Sequence, residues 1–106
     1  MSEHVFDKAK WQSMDIFNQM GNIGSEVGRA LSAKRRGDER SMQAAFYRGL
    51  DLMDATVEEL VRQRSPRSKE VLRAREVFAQ AIVTDTTDPT LEQYFMQFAM
   101  AARVNR

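Results

Sequence analysis

The chain has 106 residues, of which 42% are hydrophobic and 29% are charged, and its formal net charge is +1. This composition is typical of one globular domain and is too apolar for a disordered chain. The lack of cysteine excludes disulfides and thiolate metal sites, and the single histidine, His4, excludes zinc, di-iron and Ser-His-Asp chemistry. Without a secretory signal pattern or a long apolar run, we expect a cytoplasmic protein that does not contact membranes.

Apolar residues recur at spacings of three and four through most of the chain, which predicts an all-α protein. We expect an antiparallel four-helix bundle in residues 13–106, preceded by an N-terminal tail or short extra element in residues 1–12. The first helix is predicted to begin after Ser13 as its N-cap and to end at Gly37. Three basic residues in its last turn suit the negative end of the helix dipole.

The second predicted helix begins at Asp38 or Glu39 and ends at Gln63, before the Ser65-Pro66 pair. The third begins after Ser68 as its N-cap and ends at a polar break in residues 84–87.

The fourth predicted helix has Asp88 as its N-cap and Pro89 at its first position, where the missing proline N–H is harmless. The four helices are unequal in length, which leaves the ends of the first two uncovered and favours self-association. Trp11, Phe95 and Phe98 either complete the core of one chain or contribute to such an interface.

Three glycines, Gly21, Gly24 and Gly28, lie inside the first predicted helix and are called the glycine stripe below. Together they cost about 2–3 kcal/mol of helix stability relative to alanine. Their spacing places them on one side of the helix, beside Phe17 at the border of the apolar face. A neighbouring helix that crosses closely explains this pattern, and a groove for a partner is the functional alternative. We predict that these four residues form a protein interface.

Basic residues cluster around two predicted turns. The first basic cluster comprises Lys34, Arg35, Arg36 and Arg40. The second basic cluster has six positive charges within fourteen residues, opposed there only by Glu70, and we predict that it binds nucleic-acid phosphates. Solvated charges are the alternative interpretation, because the net charge is small and no aromatic residues are interleaved for base stacking. The second basic cluster comprises Arg62, Arg64, Arg67, Lys69, Arg73 and Arg75.

A carboxylate stripe, Asp51, Asp54 and Glu58, lies on one face of the second predicted helix. Carboxylates at this spacing can bind Mg²⁺, as in all-helical nucleotide pyrophosphohydrolases of similar length. A second acidic pair on another helix, which such a site needs, is not evident. A solvated face is therefore the preferred interpretation, and we assign no metal or cofactor.

Four segments, which together cover 42 of the 106 residues, are NQMGNIGSEVGRA (18–30), AAFYRGLDLMDAT (44–56), LRAREV (72–77) and YFMQFAMAAR (94–103). They resemble a family of short bacterial all-helical proteins that has no established activity. At the level of architecture alone, the predicted bundle is similar to the four-helix accessory proteins of diversity-generating retroelements. Those proteins form rings, bind nucleic acid and contact a reverse transcriptase, although they are more basic and share no motif with this chain.

These observations favour a non-catalytic accessory or adaptor protein that forms a homo-oligomer or joins a larger complex. We expect it to contact RNA or DNA through the second basic cluster, in the manner of a reverse-transcriptase-associated factor. A Mg²⁺-dependent pyrophosphohydrolase and a purely structural adaptor are the two alternatives.

Overall fold

The computed structural model describes residues 7–84 and 89–104, and over these ranges it contains helices and no strands. The helices are α1 (Lys8–Ser13), α2 (Ile16–Arg36), α3 (Glu39–Arg62), α4 (Arg67–Val83) and α5 (Pro89–Val104). The prediction of an all-α protein is confirmed. Helices α2 to α5 correspond to the four predicted helices, and α1 lies almost wholly within the predicted tail or short extra element. None of the helices described is both long and apolar enough to cross a membrane.

The beginning of α2 differs from the prediction. Asp15 is the N-cap, and its side chain accepts a hydrogen bond of 2.8 Å from the N–H of Asn18. Ser13 instead ends α1, where its hydroxyl donates to the carbonyl of Lys10. A carboxylate at this position both accepts from the first turn and complements the positive end of the helix, which a hydroxyl does only in part.

The other end of α2 agrees with the prediction. Gly37 has a φ of 73°, in the left-handed region, and its N–H donates to carbonyls of the last turn. The side chain of Lys34 does not serve its own helix end. Its ammonium donates to the carbonyl oxygens of Ala81 and Thr84, and so satisfies acceptors at the end of α4.

The connection between α3 and α4 is tighter than predicted. Helix α3 ends at Arg62, and α4 already begins at Arg67, with Pro66 at the N-cap position. Ser68 is therefore inside the first turn, and its prediction as N-cap is wrong. Pro66 has a φ of −66°, which favours a helix start, and the hydroxyl of Ser65 accepts from the N–H of Arg67.

Helix α5 begins at Pro89, as predicted. The predicted N-cap Asp88 lies outside the described residues.

Helix α2 is the centre of the packing. It contacts α3 and α5 extensively, α3 also packs against α4, and smaller contacts join α1 to α3, α2 to α4, and α4 to α5. Helix α5 contributes Phe95 and Phe98 to the same buried cluster, so these rings complete the core of one chain. The largest side chains with almost no exposure come from α2, α3 and α4: Met20, Ile23, Val27, Met53, Thr56, Val71 and Phe78.

A buried ring of polar groups attaches α1 to the rest of the fold. The indole N–H of Trp11 donates to Thr56 Oγ1 at 2.9 Å, and the Thr56 hydroxyl donates to Gln19 Oε1 at 3.1 Å. The side-chain amide of Gln19 in turn donates to the backbone carbonyl of Trp11 at 2.9 Å. All three side chains are buried, and their mutual hydrogen bonds offset the loss of hydration. Trp11 therefore belongs to the interior of one chain.

Candidate phosphate-binding surfaces

The second basic cluster spans the end of α3, the short connection and the first half of α4. Arg64, in the connection, has a φ of 58° and is the one non-glycine residue with positive φ among the residues described. This left-handed conformation costs about 1 kcal/mol in a residue with a Cβ. It allows the chain to reverse direction within the few residues between the two helices.

Three residues of this cluster are paired with carboxylates. Arg75 makes two hydrogen bonds to the Asp54 carboxylate, at 2.8 and 3.3 Å. Arg67 lies 3.8 Å from Glu70, and its guanidinium is 5.3 Å from the centre of the Phe98 ring. These contacts reduce the charge that the two arginines offer to a ligand.

Arg62 is the third paired residue, and its partner is Glu59. Hydrogen bonds from Arg62 and from Gln63 lower the pKa of the Glu59 carboxyl below its ordinary value. The carboxylate therefore remains charged at neutral pH and holds Arg62 against its own helix.

The remaining three residues, Arg64, Lys69 and Arg73, are exposed. Within residues 7–84 and 89–104, none of them makes an ion pair. Their charges are available to an anionic ligand without the loss of an existing contact. The structure thus separates the predicted phosphate-binding residues into three paired and three free cations.

The glycine stripe lies against α5 of the same chain. A Cβ built on Gly24 would lie 2.6 Å from the Cβ of Phe95, which is closer than Cβ atoms in proteins approach other non-bonded atoms. At Gly21 the nearest atom is the Cα of Ala99, at 3.5 Å. The close approach predicted from the glycines therefore occurs between α2 and α5.

Phe17, the fourth residue of the predicted interface, is half-buried, and its ring centre lies 6.4 Å from that of Phe98. Contact of this face with a second protein stays a prediction. Outside it, Met96, Met100 and Val104 on α5 are 59%, 52% and 81% exposed. Their spacing of four places these apolar side chains on one outer face of the helix.

The carboxylate stripe is engaged in ion pairs at two of its three positions. Asp54 binds Arg75, and Glu58 lies 2.6 Å from the ammonium of Lys8. Asp51 is exposed. Across the part of the chain that the structure describes, no three His, Asp or Glu residues are grouped as a metal site would require. The stripe as it stands is a charged outer face of α3.

A groove between α4 and α5 contains the hydroxyl of Tyr94, which donates to Glu70 Oε1 at 3.3 Å. Partial burial, followed by the nearby Glu70 charge, raises the pKa of Tyr94 to about 12. The phenol is therefore neutral at physiological pH and acts as a donor. Arg73 also lines this groove.

A cleft between α2 and α3 was not predicted from the sequence. It encloses about 560 Å³ and is called the arginine cleft below. Small residues, Gly28, Ala44 and Ala45, leave this space open between the two helices. Its polar lining comprises Arg29, Ser32, Arg36, Ser41 and Arg48.

The guanidinium groups of the arginine cleft are held by neighbouring side chains. Glu26, whose side chain is only 13% exposed, lies 3.2 Å from Arg29 through one oxygen and 3.2 Å from Arg48 through the other. Arg36 donates to the hydroxyl of Ser32 at 2.9 Å and lies 3.7 Å from Asp38. One carboxylate therefore orients two arginines, and a hydroxyl orients the third.

Asp38 also caps α3 at the edge of the arginine cleft. Hydrogen bonds from the side chain and the backbone N–H of Ser41, together with the Arg36 charge, lower the pKa of Asp38 below its ordinary value.

The sequence contained one indication of the arginine cleft, which is the helical spacing of its polar residues. Arg29, Ser32 and Arg36 share one side of α2, at intervals of three and four. The opposing residues on α3 have the same spacing. The cleft forms because these faces of α2 and α3 lie next to each other in the structure, and the sequence does not specify which helix faces pack together.

Comparisons with protein-family models, curated proteins and solved structures give no match for this chain. Its function is therefore inferred from the surfaces described above.

Proposed function

We propose that this protein is a non-catalytic accessory or adaptor protein that contacts nucleic acid through the second basic cluster. The observation that carries the proposal is the group of three exposed cations, Arg64, Lys69 and Arg73, which have no ion-pair partner in the described ranges. Arginine and lysine at an exposed helix connection bind phosphates and release counterions from the nucleic acid. A nucleoprotein complex such as that of a reverse transcriptase is the expected context.

The proposal includes an antiparallel four-helix bundle formed by α2 to α5. Contacts that support it run in opposite directions along neighbouring helices. Gly21 of α2 lies near Ala99 of α5, whereas Gly28 lies near Glu92. The connections of α3 to its two neighbours are only a few residues long, which is typical of antiparallel pairs.

Binding to a fluorescent oligonucleotide, measured by anisotropy at several salt concentrations, tests the proposal. Three phosphate contacts predict that the logarithm of the binding constant for duplex DNA falls by about 2–3 per tenfold increase in salt. Arg64→Gln should weaken binding by several-fold.

Arg62→Gln is the matched control, because Arg62 belongs to the same turn but is paired with Glu59. An equal loss in both variants would show that only overall charge matters. An absence of binding even at low salt would refute the proposed contact with nucleic acid.

We also propose that the protein self-associates through the outer face of α5. The exposed residues Met96, Met100 and Val104 support this, because flexible methionines adapt to an opposing apolar surface. Light scattering after size exclusion should give a mass above that of one chain for the natural sequence. Met100→Glu should reduce it to that of a monomer, and Gln43→Glu, at an exposed position of α3, should not. A monomeric natural sequence would contradict this part of the proposal.

A further inference from the structure

We propose that the arginine cleft binds a phosphate-bearing ligand of about nucleotide size. This site shares no residue with the second basic cluster, and it does not depend on the proposed contact between that cluster and nucleic acid. It would give the protein a small-molecule or terminal-phosphate site between α2 and α3.

The first support is the space between the helices. A volume of about 560 Å³ lies within the range of roughly 300–1,000 Å³ that is usual for ligand pockets. Gly28, Ala44 and Ala45 are part of its lining, and none of them carries a side chain larger than a methyl group. A Cβ built on Gly28 would have one atom within 4 Å, Oε2 of Glu92 on α5 at 3.9 Å, so no backbone packs directly against this glycine.

The second support is the charge of the lining. Three arginines line the cleft, and the two carboxylates that contact them, Glu26 and Asp38, offset two of these charges. The carboxylate of Glu92, beside Gly28, is offset in turn by Arg35 at 3.9 Å, so one positive charge remains in excess. Each guanidinium carries five N–H donors, so a contact with one carboxylate leaves most of them free. The hydroxyl of Ser32, which accepts from Arg36, adds a donor to the lining, whereas the hydroxyl of Ser41 donates to Asp38.

The third support is pre-organisation. The side chain of Arg48 is 34% exposed and is fixed by the mostly buried Glu26, while Arg36 is fixed by Ser32. Less side-chain entropy is then lost when a ligand binds, which favours affinity. The planar fork of arginine matches the oxygens of a phosphate group.

The lining also defines which part of the ligand is recognised. It contains no aromatic residue and no large aliphatic residue that could hold a nucleobase. Recognition is therefore directed to phosphate groups, as in pyrophosphate or the phosphates of a nucleotide. A phosphate at the end of a nucleic-acid strand offers the same chemistry.

Isothermal titration calorimetry with inorganic pyrophosphate, with ATP and with a short 5′-phosphorylated oligonucleotide tests the proposal. Arg48→Gln should weaken binding by about tenfold, the size expected for one charge-assisted contact. Ala44→Leu should also weaken it by at least about tenfold, because the larger side chain fills the cleft without any change of charge.

Arg40→Gln is the matched control for charge, since Arg40 is exposed near the same helix end and does not line the cleft. It should change binding by less than about twofold. Circular dichroism of each variant establishes that it is folded. Ala44 is exposed, so Ala44→Leu tests the site even if Arg48→Gln destabilises the protein.

The outcomes distinguish the sources of the phosphate. Binding of pyrophosphate and ATP that both cleft variants weaken supports a small-ligand site. Binding of the oligonucleotide alone, weakened by Ala44→Leu but not by Arg64→Gln, supports the cleft as a site for a strand-terminal phosphate. If no probe binds, or if both cleft variants bind as the natural sequence does, the proposal is overturned. The proposed contact through the second basic cluster is then judged separately by Arg64→Gln.

Discussion

Two glycines one turn apart on α2 have opposite surroundings. At Gly24, α5 approaches so closely that a Cβ would lie 2.6 Å from the Cβ of Phe95. At Gly28, the nearest atom would be a carboxylate oxygen of Glu92 at 3.9 Å, and the residue lines the arginine cleft. In the first case the small residue allows two helices to touch. In the second it helps to keep a space open beside charged side chains.

The difference shows that the spacing of the glycines fixes their position on α2, but it does not tell which atoms of other helices lie next to each glycine. All three glycines satisfy the same spacing, yet only Gly24 is placed where alanine cannot fit without movement. Replacement of each glycine by alanine, which adds one methyl group, is therefore expected to affect stability differently at Gly24 and at Gly28.

The largest effect is expected for Gly24→Ala. The added methyl group would overlap Phe95 close to its backbone, so the two helices must move apart. The gain in helix propensity offsets part of this, and we expect a net loss of about 1–2 kcal/mol in the free energy of unfolding. Urea denaturation followed by circular dichroism measures it. A variant as stable as the natural sequence would show that α5 does not pack this closely.

A loss of about 1 kcal/mol is expected for Glu26→Ala. This change leaves Arg29 and Arg48 without the carboxylate that orients them on the open side of α2. Glu76→Ala is the control, because Glu76 is exposed and has no ion pair within the described ranges. Equal denaturation curves for the two variants would indicate that Glu26 does not organise the cleft.

A smaller effect, of opposite sign, is expected for Gly28→Ala. Alanine favours the helix by up to about 1 kcal/mol, and here its methyl group would make only an ordinary van der Waals contact, with Glu92 Oε2 at 3.9 Å. The same denaturation experiment should therefore show equal or higher stability. Destabilisation comparable to that of Gly24→Ala would remove the distinction between the two regions.

The smallest effect is expected for Asp38→Asn, and it concerns the stability of the protein at acidic pH. The pKa of Asp38 is lowered in the folded protein, so its contribution to stability is complete above its ordinary value of 3.8. It is lost as the pH falls below that value and through the folded pKa. Asp38→Asn should flatten the pH dependence of the melting temperature in acid, as the pH falls from the ordinary pKa of 3.8 through the lowered pKa of the folded protein. An unchanged profile would exclude Asp38 as a contributor.

The helices themselves could be predicted, because their periodicity and their ends are local features. Gly37 and Pro89 occupy the predicted positions for this reason. The N-cap positions of α2 and α4 were predicted wrongly as Ser13 and Ser68, because another capping or helix-starting residue lies two positions away in each case. Asp15 is the N-cap of α2 because its negative charge complements the positive end of the helix. Pro66 starts α4 because its ring fixes φ at a helical value.

The candidate sites were less predictable, because they depend on contacts between helices. The pairing of Arg62 with Glu59 follows from a spacing of three on one helix. The pairing of Arg75 with Asp54 joins two helices, and the sequence does not specify which faces meet. The same information is missing for the arginine cleft, whose two sides come from α2 and α3.

The buried ring around Trp11 provides the protein with an internal fluorescent reporter. Trp11 is the only tryptophan in the chain, and it is the residue through which α1 reaches Thr56 and Gln19. Its emission wavelength therefore follows the docking of one short helix, while circular dichroism follows all of them. A red shift of the emission before the loss of helicity on heating would identify α1 as the first part of the molecule to open.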